Sequence, residues 1–300
     1  MSDPHARLGA AFNLRGAVFM VLSMAGFAVE DSLLKLAAVS LPPGQVLITF
    51  GVLGTATFAA LALLAGEAPL TRAMLGRAMV LRSLSEVTGR LFYMLAIALT
   101  PLSTASAILQ ATPLVVMVGA AMLFGESIGP RRWLAVALGF GGVLLILRPG
   151  TDGFGALSLL AIMAMLGFAG RDLATRAAPV SLSFRQLGVV GFSMLIVAGL
   201  IVLPFGGPLT APDGATWAGL LAAAAAGVCA YTFLTVAMRT GQVGAVTPFR
   251  YTRLIFAMVA GSAIFGETPD GWTIIGSAVI ILAGIAALRL SRQAATAQPA

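Results

Sequence analysis

Residues 26–35 read Gly26-Phe27-Ala28-Val29-Glu30-Asp31-Ser32-Leu33-Leu34-Lys35, and residues 167–176 read Gly167-Phe168-Ala169-Gly170-Arg171-Asp172-Leu173-Ala174-Thr175-Arg176. Glycine, phenylalanine, alanine and aspartate recur at an offset of 141 residues, and Lys35 is answered by Arg176. The register continues outward. Ser40, Leu41 and Gln45 match Ser181, Leu182 and Gln186, and Phe124-Gly125-Glu126 returns as Phe265-Gly266-Glu267. Between these anchors, residues 96–100 match residues 236–240 at an offset of 140, so one residue has slipped. The chain is two related halves joined head to tail, and a long repeat decides the architecture before any local pattern does.

The solvent of this chain is lipid. Of its 300 residues 59% are hydrophobic and 10% are charged, against about a quarter charged in a soluble domain. The net charge of +7 comes from 18 basic and 11 acidic residues, but the bases are scattered singly and form no patch for a phosphate backbone. Cys229 is the one cysteine and His5 the one histidine, which leaves no disulfide framework and little metal or hydrolytic chemistry. Met24-Ala25-Gly26-Phe27-Ala28 could pass for the end of a signal peptide. Its repeat partner lies mid-chain, so the segment reads as a spanning helix.

A bilayer core takes about 20 apolar residues of helix. Ten stretches qualify: 16–38, 43–65, 77–99, 102–124, 131–148, 154–176, 182–204, 215–238, 243–265 and 272–289. They group as a tail (1–15), a five-helix repeat (16–148), a second repeat (154–289) and a closing tail (290–300). Turn residues such as Leu41-Pro42-Pro43-Gly44 and Phe205-Gly206-Gly207-Pro208 join them. The 35 glycines allow close backbone approach between spans. With both termini cytoplasmic, eleven arginines fall on the inner side, from Arg7 to Arg292, against Lys35 and Arg148 outside. Five spans per half is odd, so the halves run in opposite senses. The expected fold is all-α, with ten transmembrane helices in two inverted-topology repeats, an arrangement typical of alternating-access transporters.

The two five-helix halves, Thr112-Pro113 within the fourth span, Phe124-Gly125-Glu126 after it and Gly142-Val143-Leu144-Leu145 resemble the drug/metabolite transporter superfamily. Within it, they resemble the ten-helix EamA-type exporters. The likeness runs from about residue 15 to 290. It implies export of amino acids and other small metabolites. The second half departs from the pattern: Leu254 stands at the position of Pro113, with Arg250 and Arg253 beside it.

An ionisable group inside a spanning helix is expensive unless it faces the bundle interior. Asp31 and Asp172 each precede a base by four residues, Lys35 or Arg176, on one helix face. With their neighbours Glu30 and Arg171, these groups read as local ion pairs or as gating and coupling elements. The third span carries Arg82, Glu86 and Arg90 in one stripe, with Ala222, Ala226 and Ala230 as its repeat positions. That stripe is a self-satisfied triad or a cavity wall. The ninth span reads Phe249-Arg250-Tyr251-Thr252-Arg253. A guanidinium fork binds a carboxylate through two hydrogen bonds, so Arg250 and Arg253 suit an α-carboxylate, or they pair with Glu86. Glu86, Arg90, Tyr93, Gln110, Arg250, Tyr251 and Arg253 are therefore the expected substrate cavity.

The sequence has no Gly-x-x-x-x-Gly-Lys-[Ser/Thr] phosphate loop, so ATP hydrolysis within this chain is not expected. The expectation is a secondary transporter, without cofactor, metal or nucleic acid, exporting aromatic or other neutral amino acids across a bacterial inner membrane. It would work as a monomer or homodimer among membrane lipids. Drug-like cations and nucleotide-like cofactors are the alternative cargoes. An intramembrane enzyme would need catalytic groups gathered at one depth, and the sole histidine lies in the tail.

Overall fold

Helix is the only regular structure among the described residues, 4–124, 129–148, 155–176, 181–240 and 247–296 of a computed structural model. The first half comprises α1 (Pro4–Ser40), α2 (Pro43–Leu64), α3 (Arg77–Leu99), α4 (Leu102–Leu109), α5 (Thr112–Phe124) and α6 (Pro130–Leu147). The second comprises α7 (Ser158–Arg176), α8 (Phe184–Val202), α9 (Gly214–Thr240), α10 (Thr252–Phe265) and α11 (Gly271–Thr296). Helix thus extends past the expected span limits, back to Pro4 and on to Thr296.

Six of these helical stretches are long and apolar enough to cross a membrane, among them Leu14–Ser40 and Phe184–Phe205. Two shorter apolar helices cover Trp133–Leu147 and Gly271–Ala287. α3 is absent from that set because it carries the charged stripe. Leu138, Leu200, Leu221 and Leu282 are exposed, as lipid-facing side chains are. The exposed Trp133, Trp217 and Trp272 stand near helix starts, where an amphipathic ring meets the headgroups.

The packing repeats when the two halves are exchanged. α1 packs on α9 as α7 packs on α3, while α2 with α8 and α6 with α11 form self-exchanging pairs. Glycines bring these pairs together. A Cβ built on Gly26 would come 3.4 Å from the Ala226 carbonyl and also meet Ala230; one on Gly167 would come 3.0 Å from the Ser85 carbonyl and also meet Gly89. These are the same two contacts displaced by 141 residues. Glycines also seat the α2–α8 and α6–α11 pairs: Phe58 packs on Gly188 and Phe192 on Gly54, and Ile280 faces Gly142 as Ile146 faces Gly276. At the hairpin ends, Gln45 donates to the Thr210 carbonyl (2.6 Å) and its match Gln186 to the Ala68 carbonyl (2.9 Å). Glu30 with Arg90, then Lys35 with Thr100, show α1 and α3 running the same way. α3 is antiparallel to α7, so α1 and α7 oppose each other and the repeat is inverted.

The structure corrects three expectations. Arg82, Glu86 and Arg90 correspond to Ala223, Gly227 and Tyr231 rather than to Ala222, Ala226 and Ala230; the slip falls beyond the close helix crossing. The fourth span, expected as one helix over 102–124, breaks between α4 and α5. Pro113 has no N–H for the Leu109 carbonyl, and the Thr112 hydroxyl donates to it instead at 2.5 Å. Thr252 donates to the Phe249 carbonyl in the same way, at 2.7 Å. The matched threonines set an offset of 140 here, so Arg253, not Leu254, occupies the place of Pro113. A 3₁₀ turn, Thr247–Tyr251, precedes α10, and residues 241–246 of the expected ninth span lie outside the described residues.

Candidate functional site

Three helices bring an alternating chain of charges to the centre of the bundle. On α3 the four-residue spacing stacks Arg82, Glu86 and Arg90 on one face, and inversion brings α1 and α7 against that face. Arg90 donates to Glu30 at 3.1 Å and to Glu86 at 3.2 Å. Arg171 reaches Glu86 at 3.4 Å and holds Asp172 on its own helix at 2.8 Å. Arg82 lies 3.7 Å from Glu86 and donates to the Thr175 hydroxyl at 3.2 Å. Glu30 is 1% exposed and Glu86 3%, so these carboxylates depend on their arginines for solvation.

A second pair stands beside the chain. Arg253 donates to one oxygen of Asp31, Oδ2, through Nη2 at 2.7 Å and Nε at 3.3 Å. The Tyr93 hydroxyl donates to the same oxygen at 2.9 Å and lies 3.5 Å from Ser106. Asp31 Oδ1 is buried and has no hydrogen-bond partner. It belongs to a residue lining a cavity of about 10 Å³, with Arg90, Tyr93, Met94 and Leu195, close to the least volume that holds one water. The repeated phenylalanines carry the arginines on their faces: Arg253 lies 5.2 Å from the Phe27 ring and Arg171 4.8 Å from the Phe168 ring.

The halves differ at this point. Exchange relates Glu86–Arg171 to Gly227–Glu30: glycine leaves room for the Glu30 carboxylate, whose counter-charge then comes from Arg90 of α3. Exchange also relates Arg253–Asp31 to Pro113–Asp172. A proline offers no charge, and Asp172 takes Arg171 from its own helix.

Sequence comparison now places this geometry. The EamA-like transporter family matches the chain twice, over residues 14–148 and 154–289. The chain belongs to the EamA-like transporter family. A riboflavin transporter of Rhizobium johnstonii is 32% identical over 200 residues, spanning 64% of each chain. An S-adenosylmethionine uptake transporter of Rickettsia prowazekii is 29% identical over 67% of this chain and 68% of its own. The pseudopaline exporter CntI of Pseudomonas aeruginosa is 30% identical over 92% of this chain and 97% of its own. A crystal structure of another protein, 20% identical, matches the fold with a TM-score of 0.63 over 94% of this chain and 99% of that one. This is a multi-pass membrane transporter of small metabolites.

In this EamA transporter, the residues expected from sequence separate into groups. Glu30, Asp31, Glu86, Arg90, Tyr93, Arg171, Asp172 and Arg253 meet in the central network. The i,i+4 pair expected between Asp31 and Lys35 does not form. Asp31 turns to Arg253, while Lys35 donates to the Thr100 carbonyl at 2.8 Å and to Glu267 at 3.0 Å. Glu267 also accepts from the Leu102 and Ser103 amides at 2.7 and 3.0 Å and from the Ser103 hydroxyl at 2.9 Å. Gly266, at φ 64°, makes the left-handed turn that ends α10 and aims Glu267 at the N-terminus of α4. The Arg176 side chain and Glu126, the repeat matches of Lys35 and Glu267, lie outside the described side chains.

Gln110 donates to the Arg250 carbonyl at 3.2 Å, tying the two interrupted spans together. Tyr251 turns the other way and packs its hydroxyl against Gly284 of α11. The Arg250 guanidinium has no hydrogen-bond or ion-pair partner among the described residues. Sequence reading passed over Phe27, Phe168 and Thr175. All three lie in the repeated stretch, but apolar rings and a threonine inside a span read as ordinary packing.

Proposed function

We propose that the chain is a secondary carrier of a small carboxylate-bearing metabolite, an amino acid or amino-acid derivative, working by alternating access with both termini cytoplasmic. The observation that carries this reading is the unpartnered Arg250. Four acids (Glu30, Asp31, Glu86, Asp172) face five arginines (Arg82, Arg90, Arg171, Arg250, Arg253). Each arginine except Arg250 has a carboxylate within ion-pair distance. The surplus cation favours an anionic group on the cargo, and a guanidinium fork favours a carboxylate. S-adenosylmethionine, for which one relative is named, ends in an α-amino acid; riboflavin, for which another is named, has no carboxylate. Glu30, Asp31, Lys35, Arg171, Asp172 and Arg176 form the gating and coupling set. Export, the direction the resemblance implies, is one of two directions named among the relatives.

The test is counterflow in proteoliposomes with L-phenylalanine, L-leucine, S-adenosylmethionine and riboflavin, each amino acid paired with its amide. Arg250→Gln removes a charge-assisted hydrogen bond, roughly 1.5–3 kcal/mol, or about ten- to a hundredfold in affinity. The acids should lose that much and the amides little. Equal losses for acid and amide, or transport of riboflavin alone, would count against a carboxylate cargo.

A further inference from the structure

We propose that Asp172 binds the ammonium group of the cargo while Arg250 holds its carboxylate, so that the site selects an α-amino acid over a plain carboxylate. This rests on the carboxylate reading above and adds a second ligand to the same site. Asp172 accepts from Arg171 through Nη2 at 2.8 Å and Nε at 3.0 Å, and both bonds end on one oxygen, Oδ1. Oδ2 has no bond among the described residues. Glu30 and Asp31 also carry an oxygen without a partner, but those oxygens are buried. The Asp172 side chain is 26% exposed, against 1% for Glu30 and Asp31 and 3% for Glu86. Of the four acids it is the one a solute can reach, and its open oxygen suits an ammonium, which donates and never accepts.

The repeat sets Arg250 beside it. α7 packs on both α4 and α5, and exchange sets Asp172 against Pro113 as it sets Asp31 against Arg253. Gln110, three residues before Pro113, is the match of Arg250 at the offset of 140 that the two threonines give, and it bonds the Arg250 carbonyl. Two matched residues that touch each other lie at the pseudo-two-fold axis, where an inverted-repeat carrier keeps its site. Arg250 thus stands between the two copies of the repeated aspartate. Asp31 is already held by Arg253 and Tyr93. Asp172 acts on Arg250 from beyond ion-pair distance, which leaves a gap with a guanidinium on one side and an open carboxylate oxygen on the other. An α-amino acid fills such a gap, because its two charged groups sit on one carbon and each makes a charge-assisted bond to its own side. A plain carboxylate would face Asp172 with a like charge, and an amine alone would face Arg250 with one; both mismatches discriminate against the wrong cargo. Arg171 keeps its bonds to Oδ1, so no ion pair of the network breaks when the cargo binds. Asp172 also belongs to the gating and coupling set proposed above, which gives the cargo a direct hold on it.

Calorimetric titration of the purified protein compares ligands that differ by the amino group alone: L-phenylalanine with 3-phenylpropanoate, and L-leucine with 4-methylpentanoate. L-Phenylalaninamide tests the carboxylate. The parent protein should bind each amino acid about ten- to a hundredfold more tightly than its deaminated analogue. In Asp172→Asn that preference should vanish through weaker binding of the amino acids, with 3-phenylpropanoate bound about as before. Asp172→Glu keeps the charge and should keep most of the preference. Amino acids and deaminated analogues bound alike by the parent protein, or a preference that survives in Asp172→Asn, would overturn the ammonium site and leave the carboxylate reading standing. Equal weakening of both kinds of ligand in Asp172→Asn and in Asp172→Glu would do the same, and would make Asp172 a support of the fold. An amide bound as tightly as its acid, or binding of none of these ligands, would overturn the carboxylate reading and the ammonium site together.

Discussion

Glu30 fills the space that a side chain on Gly227 would need: a Cβ there would come 2.8 Å from Glu30 Oε2. Exchange of the halves relates this contact to Arg171 against Glu86, so one location carries an ion pair in one half and an acid facing glycine in the other. Gly227→Ala should push Glu30 off Arg90, at an overpacking cost of about 1–3 kcal/mol. Thermal unfolding in detergent checks this. The same substitution in a Glu30→Ala background should cost much less, because the displaced carboxylate is gone.

The latch at the end of α1 holds three chain segments with one carboxylate. Glu267 takes bonds from Lys35, the amides of Leu102 and Ser103 and the Ser103 hydroxyl. Glu267→Gln keeps the shape and removes the charge that strengthens those bonds, roughly 1.5–3 kcal/mol for a charged partner. In a Cys229→Ala background, a cysteine at Thr104 should react faster with a soluble maleimide when Glu267 is also replaced. Unchanged labelling would mean that the latch does not hold this end shut.

The sequence made the repeat plain because its anchors, Gly26 with Gly167 and Gln45 with Gln186, are fixed by geometry. The glycines lie where helices touch, and the glutamines clamp matching loops. Register was harder where small residues follow one another. In the run 222–226 every residue is alanine, and only the contacts of Gly26 and Gly167 show that Gly227 answers Glu86. Spacing alone brought Asp31 to Lys35, four residues along one helix. The tertiary partners Arg253 and Glu267 lie 222 and 232 residues away, beyond any local pattern. That charges must face inward was legible; which charge meets which was not. Tyr251 shared the aromatic and polar character of Tyr93 and was expected in the same cavity, yet the turn before α10 points it at α11.

Orientation is tested by accessibility. The eleven-to-two bias of basic residues puts the α2–α3 connection inside and the start of α7 outside. In a Cys229→Ala background, a cysteine at the exposed Ala156 should react with an impermeant reagent added to intact cells. One at the exposed Leu70 should react only after the membrane is opened. The reverse pattern would turn the molecule over and exchange the two mouths of the carrier.

Arg253 and Arg250 separate a structural charge from a binding charge. Arg253 holds Asp31, which is 1% exposed, and Arg253→Gln strands that carboxylate. Removing one partner of a buried pair costs about 3–5 kcal/mol, because the remaining charge is left without compensation. Arg250 has no carboxylate within ion-pair distance among the described residues and feels Asp172 only at longer range, so Arg250→Gln should leave the unfolding midpoint close to that of the parent protein while carboxylate transport falls. Adding Asp31→Asn to Arg253→Gln removes the stranded charge and should restore most of the lost stability, a coupling that a double-mutant cycle measures directly. Transport should not return with it, since the double variant lacks the second guanidinium. Stability lost equally in Arg250→Gln and Arg253→Gln would show that both arginines support the fold. A double variant as unstable as Arg253→Gln alone would show that the arginine acts through its packing on Phe27 and Tyr93 rather than through Asp31.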